Sequence, residues 1–345
     1  MQTRILGQRD IKRILSVVGR DVVMDRLIGE LHKGFARLGR GETDEPPART
    51  GFARRGDVPG VIEFMPHRAA GHGVTMKTIS YSPQNPERFH LPTIVGTVSR
   101  LDDDSGSLVA LADAGTITTM RTGAVAAVAT RLLARPGSTT LALIGAGAQA
   151  VTQAHGLSRV LPLERVLVSD INPEHAASFA ARVAFLGLPV EVTDPASATA
   201  TADVLCTVTS VPVGGGPVVP AAPRPEHLHV NAIGADERGK TELPRELLDE
   251  AFICVDHPGQ ARDEGEFQQL PDRELGPSLA RLCAAPEMAA PHRESLSVLD
   301  STGSAYADHI ALDVLLGFAD ELGLGHKMAI ESAPEDVLDP YSLQG

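Results

Sequence analysis

Tryptophan is absent from the 345 residues, and aromatic side chains make up only 3% of them. The core must therefore be built from Ala, Val, Leu and Ile. Cysteine is scarce: Cys206, Cys254 and Cys283 are the three present, and none forms a C-x-x-C pair. This excludes a disulfide scaffold and suits reduced, buried thiols in a cytoplasmic protein. No apolar run approaches the ~20 residues of a membrane span. The N-terminal MQTRILGQRDIKRIL carries charges throughout and lacks an apolar h-region, so no signal peptide and no membrane partner are expected. Positive charge is in deficit, with 31 Lys and Arg against 44 Asp and Glu and a formal net charge of −13. That argues against nucleic acid as a partner. It is compatible with a cationic small substrate, and plain surface solubility explains it equally well. Zinc-type spacing, a P-loop and a nucleophile elbow are all missing, so no metal is expected. His67 and His155 lack ligand spacing and read as packing or surface residues. Asp102-Asp103-Asp104-Ser105-Gly106 reads as a solvated hairpin turn rather than a cation site.

What is present centres on LALIGAGAQA, residues 141–150. Leu141 to Ile144 reads as a buried strand, and Val151 onward as a helix. Between them, Gly145 permits a tight turn and Gly147 lets backbone approach a pyrophosphate. Ala150 stands where a third glycine is usual and is small enough for helix–strand packing. This is the opening of a dinucleotide-binding βαβ unit, with the helix N-terminus facing the phosphates. A glycine turn alone is weak evidence, but a second strand, 165–169, follows and ends in Asp170. A carboxylate there binds a ribose 2′-hydroxyl and repels a 2′-phosphate, and Ile171-Asn172-Pro173-Glu174 adds no cation. The cofactor expected is NAD rather than NADP.

The length predicts two domains. Residues 10–38 have helical spacing, and 39–59 are rich in turn residues. VIEFMP, VTMKTISY, TIVGTVSRL and SLVALADA read as strands. A helix over 116–134 leads from this β-rich region into an alternation of strands at 141–145, 166–170, 189–193, 203–209, 228–234, 252–255 and 296–300. That pattern predicts an α/β fold, a Rossmann-type doubly wound parallel sheet. A helix over 305–324 and a Pro-containing tail, 334–345, close the chain. If the tail returns to the N-terminal region, the Rossmann unit, 125–315, is inserted in a second α+β substrate-binding and dimerisation domain made of 1–124 and 316–345.

Several charged residues sit in patterns that could carry chemistry. Arg49, Lys77 in VTMKTIS and Arg121 in TMRTGA are either three surface cations or, if they converge, a carboxylate clamp. Glu63 in VIEFMP is either a strand carboxylate facing water or a partly buried one with a raised pKa, suited to moving protons. Asp236 follows LHVNAIGA at the carboxyl end of a parallel strand. It is either a turn aspartate or, at the edge where ligands bind, a functional group.

Taken in order, VIEFMPHR, VTMKTISYSP, LPTIVGTVSRLDDDSG, TTMRTGAVAAVATRLLARP, LIGAGAQA, LHVNAIGADERGKTEL and LDSTG span most of the chain. Together they resemble the ornithine cyclodeaminase/μ-crystallin family. MPHR, YSP, EHLHVNAIGAD and DPYSLQ resemble its members that convert L-lysine to L-pipecolate and ammonia. The resemblance implies a homodimer, tightly held NAD and a small diamino acid substrate. It implies that Arg49, Lys77 and Arg121 hold the substrate carboxylate, and that Glu63 and Asp236 serve its amine and protons. Ala148, Gln149, Asp170, Thr209, Asn231, Lys240 and Ser301 would contact the cofactor beside Gly145 and Gly147. Glu264 is a further candidate, for the distal amine; an exposed helix carboxylate is the alternative. The family also holds ornithine-cyclising enzymes, cyclic ketimine reductases and nucleotide-sensing proteins without the cyclising activity, so fold and cofactor transfer better than reaction.

Overall fold

The structure is a computed structural model and describes residues 2–343. Residue 1 of the N-terminal segment and residues 344–345 of the expected tail lie outside the described residues. The first sheet contains β1 (Thr3–Leu6), β2 (Thr50–Arg54), β3 (Gly60–Ala69), β4 (Gly73–Tyr81), β5 (Ile94–Leu101) and β6 (Leu108–Asp113). β2 to β6 pair antiparallel in sequence order, and β1 lies parallel to β6. Strand alternation gives this sheet two unlike faces. Met65, Thr75, Lys77, Ile79 and Val98 are buried, while Ile62, Phe64, Met76 and Val95 on the opposite face are only half-buried.

The second sheet holds β7 (Thr140–Ile144), β8 (Arg165–Ser169), β9 (Val190–Val192), β10 (Val204–Thr207), β11 (His229–Ala232), β12 (Phe252–Val255) and β13 (Ser297–Asp300). All its pairings are parallel, in the order β9-β8-β7-β10-β11-β13-β12. Its inner strands are apolar on both sides because helices cover both faces. The chain winds outward from β7 through β8 and β9, then restarts beside β7 at β10. The switch point therefore lies between the ends of β7 and β10, where an open α/β sheet binds its ligand. A last strand, β14 (His326–Met328), pairs antiparallel with β1.

Three expectations need correction, and one short strand was not anticipated. The 39–59 segment is not all loop, since β2 occupies part of it. TGFAR is an exposed edge strand, and without a buried face it carries no alternation to read. The N-terminal TRIL is a strand, too short to show a period. The helical segment 10–38 is two helices, Gln8–Val17 and Arg20–Gly39, broken at Gly19, whose φ of +90° ends a right-handed helix. The return to the first sheet runs through the helix Ala305–Glu321, shorter than 305–324, and through β14, before the tail begins. Among the described residues no helix is long and apolar enough to cross a membrane.

The helix Ala114–Leu133 joins the two sheets. Asp113 caps it by accepting the Thr116 N–H. It is buried on nearly all sides, which suits its run of Ala and Val. It crosses the helix Ala148–Ser158 at glycine against glycine. A Cβ on Gly123 would stand 2.2 Å from the Thr152 carbonyl oxygen, and one on Gly156 would stand 2.4 Å from the Gly123 oxygen. Both clashes are with backbone, so no side chain can yield. Gly123→Ala should therefore destabilise the protein by roughly 1–3 kcal/mol despite alanine's better helix propensity. Urea unfolding checks this, and a midpoint equal to or above wild type refutes it.

Candidate active site

The glycine turn follows β7 at the switch point. Gly145 has φ +101°, and a Cβ there would come within 2.7 Å of the Val208 carbonyl after β10. Gly147 differs, because a Cβ on it would meet nothing within 4 Å. The protein's own packing does not require glycine at 147, so the open space over it is room for a ligand. Gly147 caps the helix Ala148–Ser158 without a side-chain bond, and Gly147 and Ala148 are exposed. The first N–H groups of that helix are thus free for an anion. This donor set fits the pyrophosphate of a dinucleotide. Asp170 accepts the Ala146 N–H at 2.7 Å and the Asn172 N–H at 2.8 Å, which fixes its carboxylate at the rim of the turn.

The three spaced cations are brought into one network through Glu63 and Asp308. They join a chain of alternating charges whose members come from distant elements. Arg49, immediately before β2, donates from Nε to Glu264 at 2.7 Å, lies 3.3 Å from Glu63 and donates from Nη2 to the Asp236 carbonyl at 2.9 Å. Its backbone N–H donates to Gln260, whose amide reaches Thr302 and Gly303. Burial works against the Arg49 charge, and Glu63, Asp236 and Glu264 outweigh it and push the guanidinium up. Glu63 shares the inner face of β3 with Met65, and Met65 pairs with Lys77. Burial raises the Glu63 pKa, opposed by Arg49 and Lys77 and reinforced by Asp236.

Lys77 is fully buried, with its Nζ 2.6 Å from Asp308 Oδ2. At that distance the two form a tight buried ion pair, and among the described residues Asp308 is the only partner of the ammonium. Burial draws Lys77 down to about 8, against the pull of Asp308. Arg121, two turns into its helix, donates from Nε to the other oxygen of Asp308 at 2.9 Å. Its Nη2 lies where Gly303, at φ +91°, has no side chain; a Cβ there would stand 3.1 Å away.

Asp236 is partly exposed and accepts from the buried Lys240 Nζ at 2.8 Å. Burial acts against the Lys240 ammonium, but Asp236 and Tyr81 outweigh it and hold its pKa up. The loop carrying both is anchored by Glu242. That fully buried carboxylate accepts from Thr209 N–H, Thr209 Oγ1 and Gly234 N–H at 2.7, 2.6 and 2.7 Å. It therefore ties the loop after β10 to the loop after β11 at the switch point.

Several residues expected to meet the cofactor are already engaged. Thr209 gives its hydroxyl to Glu242, Lys240 its ammonium to Asp236, and Ser301 its hydroxyl to Asp256 at 2.7 Å. Asn231 is wholly buried and donates to Thr130 at 2.9 Å. Gln149 lies in the first turn of the glycine-turn helix. Glu264 lies in a turn after a short helix, not on a helix face. Sequence reasoning missed Asp308, Gln260, Glu242 and Asp256. No local signal marks Asp308, because AYADHIALDVLL also carries His309 and Asp313 at positions a solvated helix face would use.

A profile described as the ornithine cyclodeaminase/mu-crystallin family matches residues 9–318. L-lysine cyclodeaminase of Streptomyces rapamycinicus is 87% identical over 343 residues, covering 99% of this chain and all of the relative. Alanine dehydrogenase of Archaeoglobus fulgidus is 29% identical over 334 residues, 95% of this chain and 98% of the relative. Among solved structures, a lysine cyclodeaminase described for its recognition of L-lysine, L-ornithine and L-2,4-diaminobutyric acid superposes with a TM-score of 0.98 at 56% identity over the whole of both chains. An archaeal alanine dehydrogenase dimer with bound NAD superposes with a TM-score of 0.82 at 28% identity, over 96% of this chain and all of the other. The chain belongs to the ornithine cyclodeaminase/μ-crystallin family.

Proposed function

We propose that the protein is an NAD-dependent cyclising deaminase that converts L-lysine to L-pipecolate and ammonia. The observation that carries this reading is the buried pair Lys77 and Arg121 sharing one carboxylate, with Arg121 on the helix packed against the one that begins at the glycine turn. The full-length similarity to L-lysine cyclodeaminase supports it. When bound, NAD supplies the redox chemistry, taking a hydride from Cα and returning it to the same carbon, so no net oxidant is consumed. The chain's own residues orient the substrate and manage its protons. Lys77 and Arg121 hold the substrate carboxylate, with Arg49 at its edge. Asp236 moves the proton at the α-nitrogen, and Glu63 acts on the same nitrogen through a water. Glu264 receives the distal ammonium. Once deprotonated, that ε-amine attacks the imine carbon; ammonia leaves the geminal diamine, and the six-membered cyclic imine is reduced.

Gly145, Gly147, Ala148 and Gln149 cradle the pyrophosphate and Asp170 takes the ribose. Thr209, Asn231 and Ser301 would help hold the cofactor through the loops they fix, and Lys240 would act through Asp236. We assign 125–315 to the NAD-binding unit, inserted between 1–124 and 316–345. We also infer a homodimer. The half-exposed face bearing Ile62, Phe64, Met76 and Val95, with Phe52 beside Phe64, is the surface a second copy would cover, and the archaeal relative of known structure is a dimer. Three free, buried cysteines support a reducing, cytoplasmic setting. L-ornithine is a second substrate candidate, since the 56%-identical structure recognises it. One methylene is worth only about 1–3 kcal/mol in an apolar pocket.

The test is turnover of each diamino acid with NAD and no added reductant. L-lysine deuterated at C2 should give L-pipecolate that keeps its deuterium at C2. Nitrogen label at the ε-position should stay in the ring, and label at the α-position should appear as ammonia. Retention of the α-nitrogen in the ring would mean oxidation at the other end of lysine and would end this mechanism. A strict need for stoichiometric NADH would mark a ketimine reductase instead.

A further inference from the structure

We infer that Asp308 is a positioning residue of the carboxylate site: it holds Lys77 and Arg121 as one cationic pair with their remaining donors turned to the ligand, and it sets the pH range over which that pair carries two charges. The inference deepens the carboxylate-binding reading above and rests on it.

Asp308 is completely buried in the first turn of the helix Ala305–Glu321, where an anion is favoured by the helix dipole. Its two oxygens are divided between two cations from unrelated elements. Oδ2 faces Lys77 of β4 at 2.6 Å, and Oδ1 accepts from Arg121 of the helix Ala114–Leu133 at 2.9 Å. Two buried cations without a counter-charge would repel each other and shed a proton from the lysine. With Asp308 the pair keeps a net single positive charge, which one substrate carboxylate neutralises. The contact also fixes orientation. Arg121 spends Nε on Asp308, so the Nη1/Nη2 edge is left for a planar carboxylate, and Gly303 leaves room beside it.

The charged groups facing Lys77 can be named element by element. Asp308 from its helix and Glu63 from β3 favour the ammonium; Arg121 from the crossing helix disfavours it. On β5 the register partner is the uncharged Val98. Burial is the largest influence and lowers the pKa, so the ammonium survives near neutral pH because Asp308 is there. A cation with a lowered pKa binds a carboxylate below that pKa and loses the ability as pH rises through it. Lys77 therefore contributes an alkaline limb to kcat/KM, which reports the free enzyme. Removing the Asp308 charge must move that limb to lower pH.

The experiment compares the NAD-loaded wild type with Asp308→Asn and Asp308→Glu, using L-lysine across the pH range. The substrate's own titrations are common to all three and cancel in the comparison. Asp308→Asn should bind NAD normally, and its alkaline limb should lie about one pH unit or more below wild type, since an adjacent opposite charge moves a pKa by about 1–3 units. Asp308→Glu keeps the charge, so its limb should remain in the wild-type position while KM rises. Direct NMR titration of the Lys77 Nζ in wild type and Asp308→Asn gives the same comparison without turnover. A limb and an Nζ titration unmoved in Asp308→Asn overturn the proposal. If Asp308→Asn does not fold, Asp308→Glu decides: a shifted limb or an unchanged KM overturns it. Wild type that ignores L-lysine while its Lys77 still shifts with Asp308 would refute the function and leave the positioning role standing.

Discussion

Asp236→Asn is expected to fold, bind NAD and lose turnover of L-lysine by roughly 10²–10⁴-fold in kcat, the size of a lost general acid–base. Asparagine preserves shape and still accepts from the Lys240 ammonium, which reaches Asp236 Oδ1 at 2.8 Å. The loop's other anchors do not use the Asp236 side chain: Arg49 bonds the Asp236 carbonyl, and Glu242 bonds the Gly234 N–H. The substitution therefore removes proton-accepting ability and leaves position intact. Because the chain has no tryptophan, cofactor binding is best followed by the fluorescence of NADH itself. A variant that binds NADH and retains near-normal kcat would take Asp236 out of the chemistry and leave Glu63 as the proton carrier.

The same loop shows which parts of this molecule could be read from its sequence. The doubly wound sheet was legible because its signals are local. LALI, RVLVS and VLCT are short apolar runs, each followed by a turn, and Gly145 marks a position whose φ only glycine takes easily. Lys77 was half legible: alternation placed it on one face of β4, but nothing in VTMKTIS says that the face is inward. Asp308 was not legible. An aspartate in a helix is ordinarily solvated, and its burial follows from two cations that lie 231 and 187 residues away in the chain (308 − 77 and 308 − 121). Glu242 and Asp256 were hidden for the same reason, since each is fixed by backbone N–H groups of loops that meet only in the completed sheet, those after β10 and β11 for Glu242 and the one after β13 for Asp256. Periodicity reveals elements, whereas charge pairing across elements depends on the completed fold.

That distinction bears on Arg121, whose place in the site comes from packing as much as from charge. It lies two residues before Gly123, where the crossing helix touches the backbone of the helix that begins at the glycine turn. On the proposed reading, a substrate carboxylate gripped by Arg121 would be held in fixed register with the glycine turn, through two helices too close to slide. Arg121→Lys keeps the charge in that place but loses the fork. An ammonium that stays on Asp308 cannot also offer two parallel N–H groups to a carboxylate, and it would crowd Lys77, whose own ammonium sits on the other Asp308 oxygen. Losing two charge-assisted bonds, each worth about 1.5–3 kcal/mol, should lower kcat/KM for L-lysine by roughly 10²–10⁴-fold. Most of the loss should appear in KM, because the carboxylate is bound alike before and during reaction. The part that comes from misplacing Cα should appear in kcat. Steady-state kinetics on the two proteins, with NADH binding as the check on folding, separates these terms. An unchanged kcat/KM in a folded Arg121→Lys would mean that the substrate carboxylate is held elsewhere, and Arg49 would become the residue to test.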